Sequence, residues 1–159
     1  MAAVADASPL ILLAKVGHLF LLSELYQELF VPPAVANELR AKPDTMSVEL
    51  ERFLGSGTVR LPENLQLVKA LSRELGAGES EAIALATEIP DAILVMDDAE
   101  GRRVARGLGL RVTGLLGVLI EAKTGGLLPV VGPVLDRLMA EGFWLSEAMR
   151  TTVLRSVGE

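Results

Sequence analysis

Short apolar runs alternate with stretches of helical character along the chain, and that alternation sets the first expectation of the fold. Ala2-Ala3-Val4-Ala5 is apolar and of strand length, and Asp6 ends it. Ser8-Pro9 pairs an N-capping residue with one favoured at the first helical position, so a helix is predicted to start there. From Leu10 to Tyr26 the composition is helical but is interrupted at Gly17, which predicts two short helices. Leu29-Phe30-Val31 reads as a second strand, and Pro32-Pro33 stops it and opens a helix over residues 34–41.

A helix is predicted over Met46 to Leu54, then a short strand over Thr58 to Leu61. The stretch between Leu61 and Gly76 receives no element. Beyond it, the Ala-rich run Glu79 to Glu88 is the clearest helix by propensity. Ala92 to Met96 is a continuous apolar run, as expected of a parallel strand buried on both faces, and Asp97-Asp98 stand at its carboxyl end. A helix over Ala99 to Gly107, a brief strand at Arg111-Val112 and a helix over Leu115 to Lys123 follow. The tail from Pro129 to Val157 reads as two more helices, divided near Gly142 and restarted at Ser146-Glu147.

Strands alternating with helices imply right-handed crossovers and a central, mainly parallel sheet with helices on both faces, a three-layer α/β/α arrangement. No repeat, low-complexity tract or linker divides the 159 residues, so a single domain is expected, with a helical extension over 129–159.

Composition narrows the chemistry. There is no cysteine, so disulfides and thiolate metal sites are excluded, and any cation must be held by oxygen ligands or by His18. His18 lies in an apolar run without partners at ligand spacing, and packing is its expected role. No apolar run spans a bilayer and no basic leader precedes the first one, which points to a cytoplasmic protein with no membrane partner. The 21 Asp and Glu outnumber 15 Lys and Arg. Such a balance speaks against a protein that grips nucleic acid mainly by neutralising phosphates, although not against one that bridges phosphate through divalent cations.

In open parallel sheets ligands bind at the carboxyl ends of the strands, where the strand order reverses. Asp6 and Asp97-Asp98 occupy such ends, and clustered carboxylates favour a cation among them. Strand-ending Asp residues are also common in turns and caps, and helix-dipole complementarity explains an early-turn Glu79 as readily. Spacing alone cannot bring Glu38 and Glu79 to Asp6 and Asp98.

Several segments together resemble PIN domains. They are Val4-Ala5-Asp6-Ala7-Ser8-Pro9-Leu10-Ile11, Val31-Pro32-Pro33-Ala34-Val35-Ala36-Asn37-Glu38-Leu39, Gly76-Ala77-Gly78-Glu79-Ser80-Glu81-Ala82, and Leu94-Val95-Met96-Asp97-Asp98, followed by Arg102-Arg103-Val104-Ala105 and Val112-Thr113-Gly114. The likeness is greatest to the DUF3368-type branch of predicted nucleic-acid-binding PIN proteins, related to the VapC toxins. It implies a PIN-like α/β/α sandwich and a metal-dependent ribonuclease, the toxin of a toxin–antitoxin pair.

Carried over position by position, the resemblance places the catalytic and metal-binding acids at Asp6, Glu38, Glu79 and Asp98. Asp97 is an alternative ligand, and Glu81 competes with Glu79. The family usually has Thr or Ser two residues before the strand-end Asp, where this chain has Met96. Ser8 matches a small polar position that helps hold metal or substrate, while Arg102, Arg103 and Arg106, on one predicted helix face, are candidates for gripping an RNA backbone. The implied cofactor is Mg²⁺ or Mn²⁺. The implied partners are RNA, a cognate antitoxin and a second copy of the chain in a dimer, and the apolar helices after Pro129, with Phe143 and Trp144, are the expected surface for self-association or for the antitoxin. The alternative is a catalytically inactive PIN-like module that binds nucleic acid or protein. A phosphoryl-accepting receiver domain would need a mid-chain acceptor Asp and a late strand-end Lys, and the sequence shows neither.

Overall fold

The computed structural model describes residues 1–159, the surroundings of Gly57 excepted. Four parallel strands form one sheet: β1 (Ala2–Ala5), β2 (Glu28–Phe30), β3 (Ile93–Val95) and β4 (Arg111–Thr113), in the spatial order β2-β1-β3-β4. Register pairs Val4 with Phe30 on one side and with Leu94 on the other, and Val95 with Thr113. After β2 the chain crosses back past β1 to build β3, so the order reverses between β1 and β3.

Side chains alternate across the sheet, as the pleat requires. Ala3, Ala5 and Val95 enter a large apolar cluster, whereas Val4, Leu94 and Met96 enter a smaller one on the opposite face. The large cluster is completed by α1 (Ala7–Lys15), α2 (Phe20–Leu25), α3 (Pro33–Arg40), α4 (Val48–Phe53), α8 (Leu115–Thr124), α9 (Gly132–Ala140) and α10 (Glu147–Ser156). The smaller one is covered by α6 (Ala77–Glu88) and α7 (Ala99–Gly107), with Leu71 and Leu75 from the end of α5 (Leu65–Leu71) and the turn after it. The result is the expected three-layer sandwich. No helix of the described residues is long and apolar enough to cross a membrane.

Several elements differ from the sequence expectation. The first helix begins at Ala7, and Asp6 rather than Ser8 holds the N-cap position; Pro9 is tolerated within the first turn because its missing N–H has no intrahelical partner there. Thr58 to Leu61 forms no strand: one isolated parallel bridge joins Val59 to Val31, before Pro62 removes the next donor. The unassigned stretch contains α5, whose first turn is held by the Asn64 side chain accepting from Leu67 N and by Glu88 accepting from Glu63 N and Asn64 N. The tail folds back onto its own domain. Val153 is buried in the large cluster, and Glu159 accepts from Val131 N at 2.7 Å and Gly132 N at 3.0 Å.

Candidate functional site

The carboxyl end of β1 is the centre of the site. Asp6 N donates to Val95 O at 3.0 Å, which locks the end of β1 to the end of β3. The Asp6 side chain follows directly, 4% exposed, and its Oδ1 is buried with no hydrogen-bond partner. It does not cap α1. Burial pushes its carboxyl up to about 7; the Ala7 backbone N–H opposes that rise, and Glu79, Glu38 and Asp98 each add to it by charge repulsion. All three other acids singled out in the sequence therefore stand close enough to be felt by Asp6.

Each reaches the strand ends through its own helix. Glu38 comes from α3, which the Pro32-Pro33 pair starts immediately after β2. Glu79 lies in the first turn of α6, which packs on α3, and its carboxylate turns back over Gly76. Gly78 makes the approach possible: a Cβ there would come within 3.1 Å of Glu38 Oε2 and 3.6 Å of Asp6 Oδ1. The lack of a side chain lets two acidic groups sit against the helix backbone. Asp98 is exposed and caps α7, its Oδ2 accepting from Gly101 N at 2.7 Å.

The two alternative acids are engaged elsewhere. Asp97 accepts from Leu115 N at the start of α8, at 3.2 Å for either oxygen, and lines a separate cleft of about 260 Å³ with Arg102, Thr113 and Gly114. Burial raises its carboxyl, while the Leu115 N–H and the Arg102 charge oppose the shift. Glu81 turns to Ala34 N at 2.6 Å and satisfies a free donor in the first turn of α3. Met96 is fully buried in the small core cluster, where a Cβ at Gly101 would meet its Sδ at 2.5 Å, so this position supplies no polar group to the site.

The three arginines do not form a free basic face. Arg102 Nη1 donates to Met96 O at 2.9 Å and braces the turn after β3. Arg103 is held by Glu100, with Glu74 at 3.9 Å. Arg106 is exposed and has no ion-pair partner among the described residues. For Arg103 the reason is local acid, since Glu74 and Glu100 both lie within its reach. Ser8 is exposed and lines, with Glu38, a cleft beside the carboxylates. His18 has a packing environment, its ring 5.6 Å from that of Phe20 and its Nδ1 2.7 Å from Val16 O.

As the side chains stand, no three acidic or histidine groups among the described residues are close enough to hold a cation. Mutual repulsion opposes a closed ligand set when no cation is among them. The donor chemistry nevertheless fits a hard divalent ion: every available ligand is a carboxylate oxygen, and one of them is buried without any other partner. The close approach over Gly78 and the pairing of Lys42 with Glu38 were the features the sequence reading missed. A glycine inside the first turn of an otherwise strong helix was the available signal.

A parallel sheet whose order reverses between two acid-tipped strands, sandwiched by helices that add two more acids, defines an α/β/α protein with an acidic site at the switch point. The comparison with known families is specific: the DUF3368 family model, a PIN domain, matches residues 2–159. The chain belongs to that family, and PIN domains are generally nucleases that use divalent cations. No curated protein matches the chain.

Proposed function

We infer that the protein is a Mg²⁺- or Mn²⁺-dependent endoribonuclease whose catalytic acids are Asp6, Glu38, Glu79 and Asp98. The observation that carries this reading is Asp6 itself, a buried carboxylate with an unpartnered oxygen, no capping role and three acids around it. A fold has little reason to keep such a group. Burial and repulsion both oppose its charge, and a cation would relieve both.

The four acids would hold the ion, and the ion would activate water and stabilise the charge developing on phosphate. Asp6 and Glu38, both lying against Gly78, would be two of the ligands, with Glu79 from α6 and Asp98 from α7 as the others. Asp98 serves two purposes, because the oxygen that caps α7 also orients its carboxylate. Asp97 and Glu81 belong to the support of these elements rather than to the ligand set, on the strength of their own hydrogen bonds. A cytoplasmic toxin restrained by a cognate antitoxin, and a dimeric state, complete the reading; exposed Val48, Leu61, Leu65 and Met149 are apolar surface of the kind such partners cover.

Asp6→Asn tests the reading. The amide keeps the shape and removes the charge that binds the ion, so Mn²⁺-dependent cleavage of single-stranded RNA, stopped by EDTA in the wild type, should fall at least about 100-fold. The folded state should be unharmed. Cleavage by the variant at the wild-type rate, or no cleavage by a highly purified wild type with either metal, would hand the fold to the inactive binding module.

A further inference from the structure

A cleft of about 270 Å³ opens beside the carboxylates, between α1, α3 and the loop that joins α9 to α10. Ile11 and Leu12 give it an apolar floor, and Ser8, Glu38, Lys42 and Glu141 form its polar rim, with Gly142 on the loop side. Trp144 follows two residues after Gly142, within about 7 Å of it along the chain, and is 83% exposed.

The loop is not loose. Phe143 N donates to Leu138 O at 3.0 Å, and Phe143 and Leu145 on either side of Trp144 pack against the large core cluster. Ser146 then caps α10 by accepting from Met149 N at 3.1 Å. The backbone is thus fixed before and after an indole that stands in water. A rigidly mounted aromatic is a platform whose ordering cost has already been met by the fold.

Charge at the cleft is arranged for exchange. Lys42 pairs with Glu38 at 3.5 Å and Lys15 with Glu141 at 3.9 Å. Exposed pairs of this kind are weak, so either ammonium is available to a phosphate that enters.

We propose that this cleft is a nucleobase subsite for single-stranded RNA, in which an unpaired base beside the cleaved phosphate seats over Ile11 and Leu12 with Trp144 as its stacking platform. It rests on the nuclease reading for the identity of the substrate. The cleft shares Glu38 with the acidic site, so a strand whose phosphate reaches the carboxylates passes it. Duplex RNA is excluded from this subsite because its bases are stacked and paired, and stacking on an aromatic side chain needs a base turned out. Lys42 and Lys15 meet the flanking phosphates.

Trp144 is the only tryptophan, so its fluorescence reports the subsite without any turnover. In EDTA, a short oligouridylate should quench it, whereas an abasic ribose-phosphate oligomer of the same length, or a duplex, should not. Trp144→Ala should weaken oligouridylate binding about tenfold and raise KM in the Mn²⁺ reaction while kcat holds, and Trp144→Phe should recover most of the affinity. An oligouridylate that binds, as seen by the anisotropy of a label, without changing the fluorescence overturns the subsite. So does equal affinity of the Ala variant, or quenching that follows protein concentration and ignores RNA, which would place a second copy of the chain on Trp144. The two readings fail separately: Trp144-dependent binding without cleavage sinks the nuclease and leaves the subsite, whereas cleavage with an unchanged KM in Trp144→Ala does the reverse.

Discussion

A carboxyl held at about 7 makes Asp6 a liability for the stability of the folded chain. Its ordinary value is 3.8, so the folded protein keeps the proton over a range in which the unfolded chain has lost it. The folded state therefore binds more protons, and the contribution of this residue to stability is full below about pH 4, falls as pH rises towards 7, and is flat beyond. At about 1.4 kcal/mol per unit the swing is roughly 4 kcal/mol at most. In EDTA, urea unfolding of the wild type and of Asp6→Asn should diverge across that window, with the variant gaining relative stability at pH 8 over pH 4. A difference that stays constant with pH would mean that Asp6 is not held against its charge. The identity of this residue was legible in the sequence, through the family pattern around Val4 to Pro9. Its isolation was not, because the lack of a partner depends on Glu38 and Glu79 arriving from distant helices.

At the scale of elements, α3 and α6 support one another and the site together. Pro32 and Pro33 bring no N–H to the start of α3, Val35 and Ala36 donate to Pro32 O, and Ala34 N is left for Glu81 of α6. That bond ties the helix that carries Glu38 to the helix that carries Glu79. Glu81→Ala should cost about 1 kcal/mol in unfolding free energy and leave most Mn²⁺-dependent cleavage in place, whereas Glu79→Gln should cost little stability and lose cleavage at least tenfold. Guanidinium melts and cleavage rates on the two variants separate the roles, and the opposite pattern would exchange them. Nothing local distinguishes these two glutamates in the sequence, since both lie early in one helix; the Ala34 amide that distinguishes them lies across the fold. For the same reason α5 is not legible in the sequence. Leu65 to Leu71 has no strong periodicity, and half of its cap is the remote Glu88. By contrast α7, bounded by Asp98 and by the turn at Leu108-Gly109, carries its own start and stop and is found where the sequence placed it.

For the molecule as a whole, the excess of acid at one sheet edge would link folding to the binding of the proposed cation. An ion that binds the folded site and not the open chain stabilises by mass action, about 2.7 kcal/mol at a hundredfold excess over its Kd. For a domain of this size that corresponds to a rise in Tm of about 5 to 10 °C. Calorimetry with and without saturating Mn²⁺ should show it in the wild type and lose it in Asp6→Asn; an equal shift in both would locate the ion somewhere other than the switch point. The layered architecture behind this site was legible from alternation alone, because strands as short as Ile93–Val95 are still apolar on both faces. The convergence of the acids needed the topology.

The strand order has a consequence during synthesis. β1 leaves the ribosome first and finds β2 soon after, but its other neighbour, β3, starts only at Ile93. Until then one edge of β1 is bare, and Val4 has no Leu94 beside it. Nascent chains with such an open edge are candidates for chaperone capture and for mispairing. On the proposed ribonuclease reading the same delay is protective beside a ribosome: with Asp98 still untranslated, no emerging portion of the chain contains all four of the acids proposed to act together.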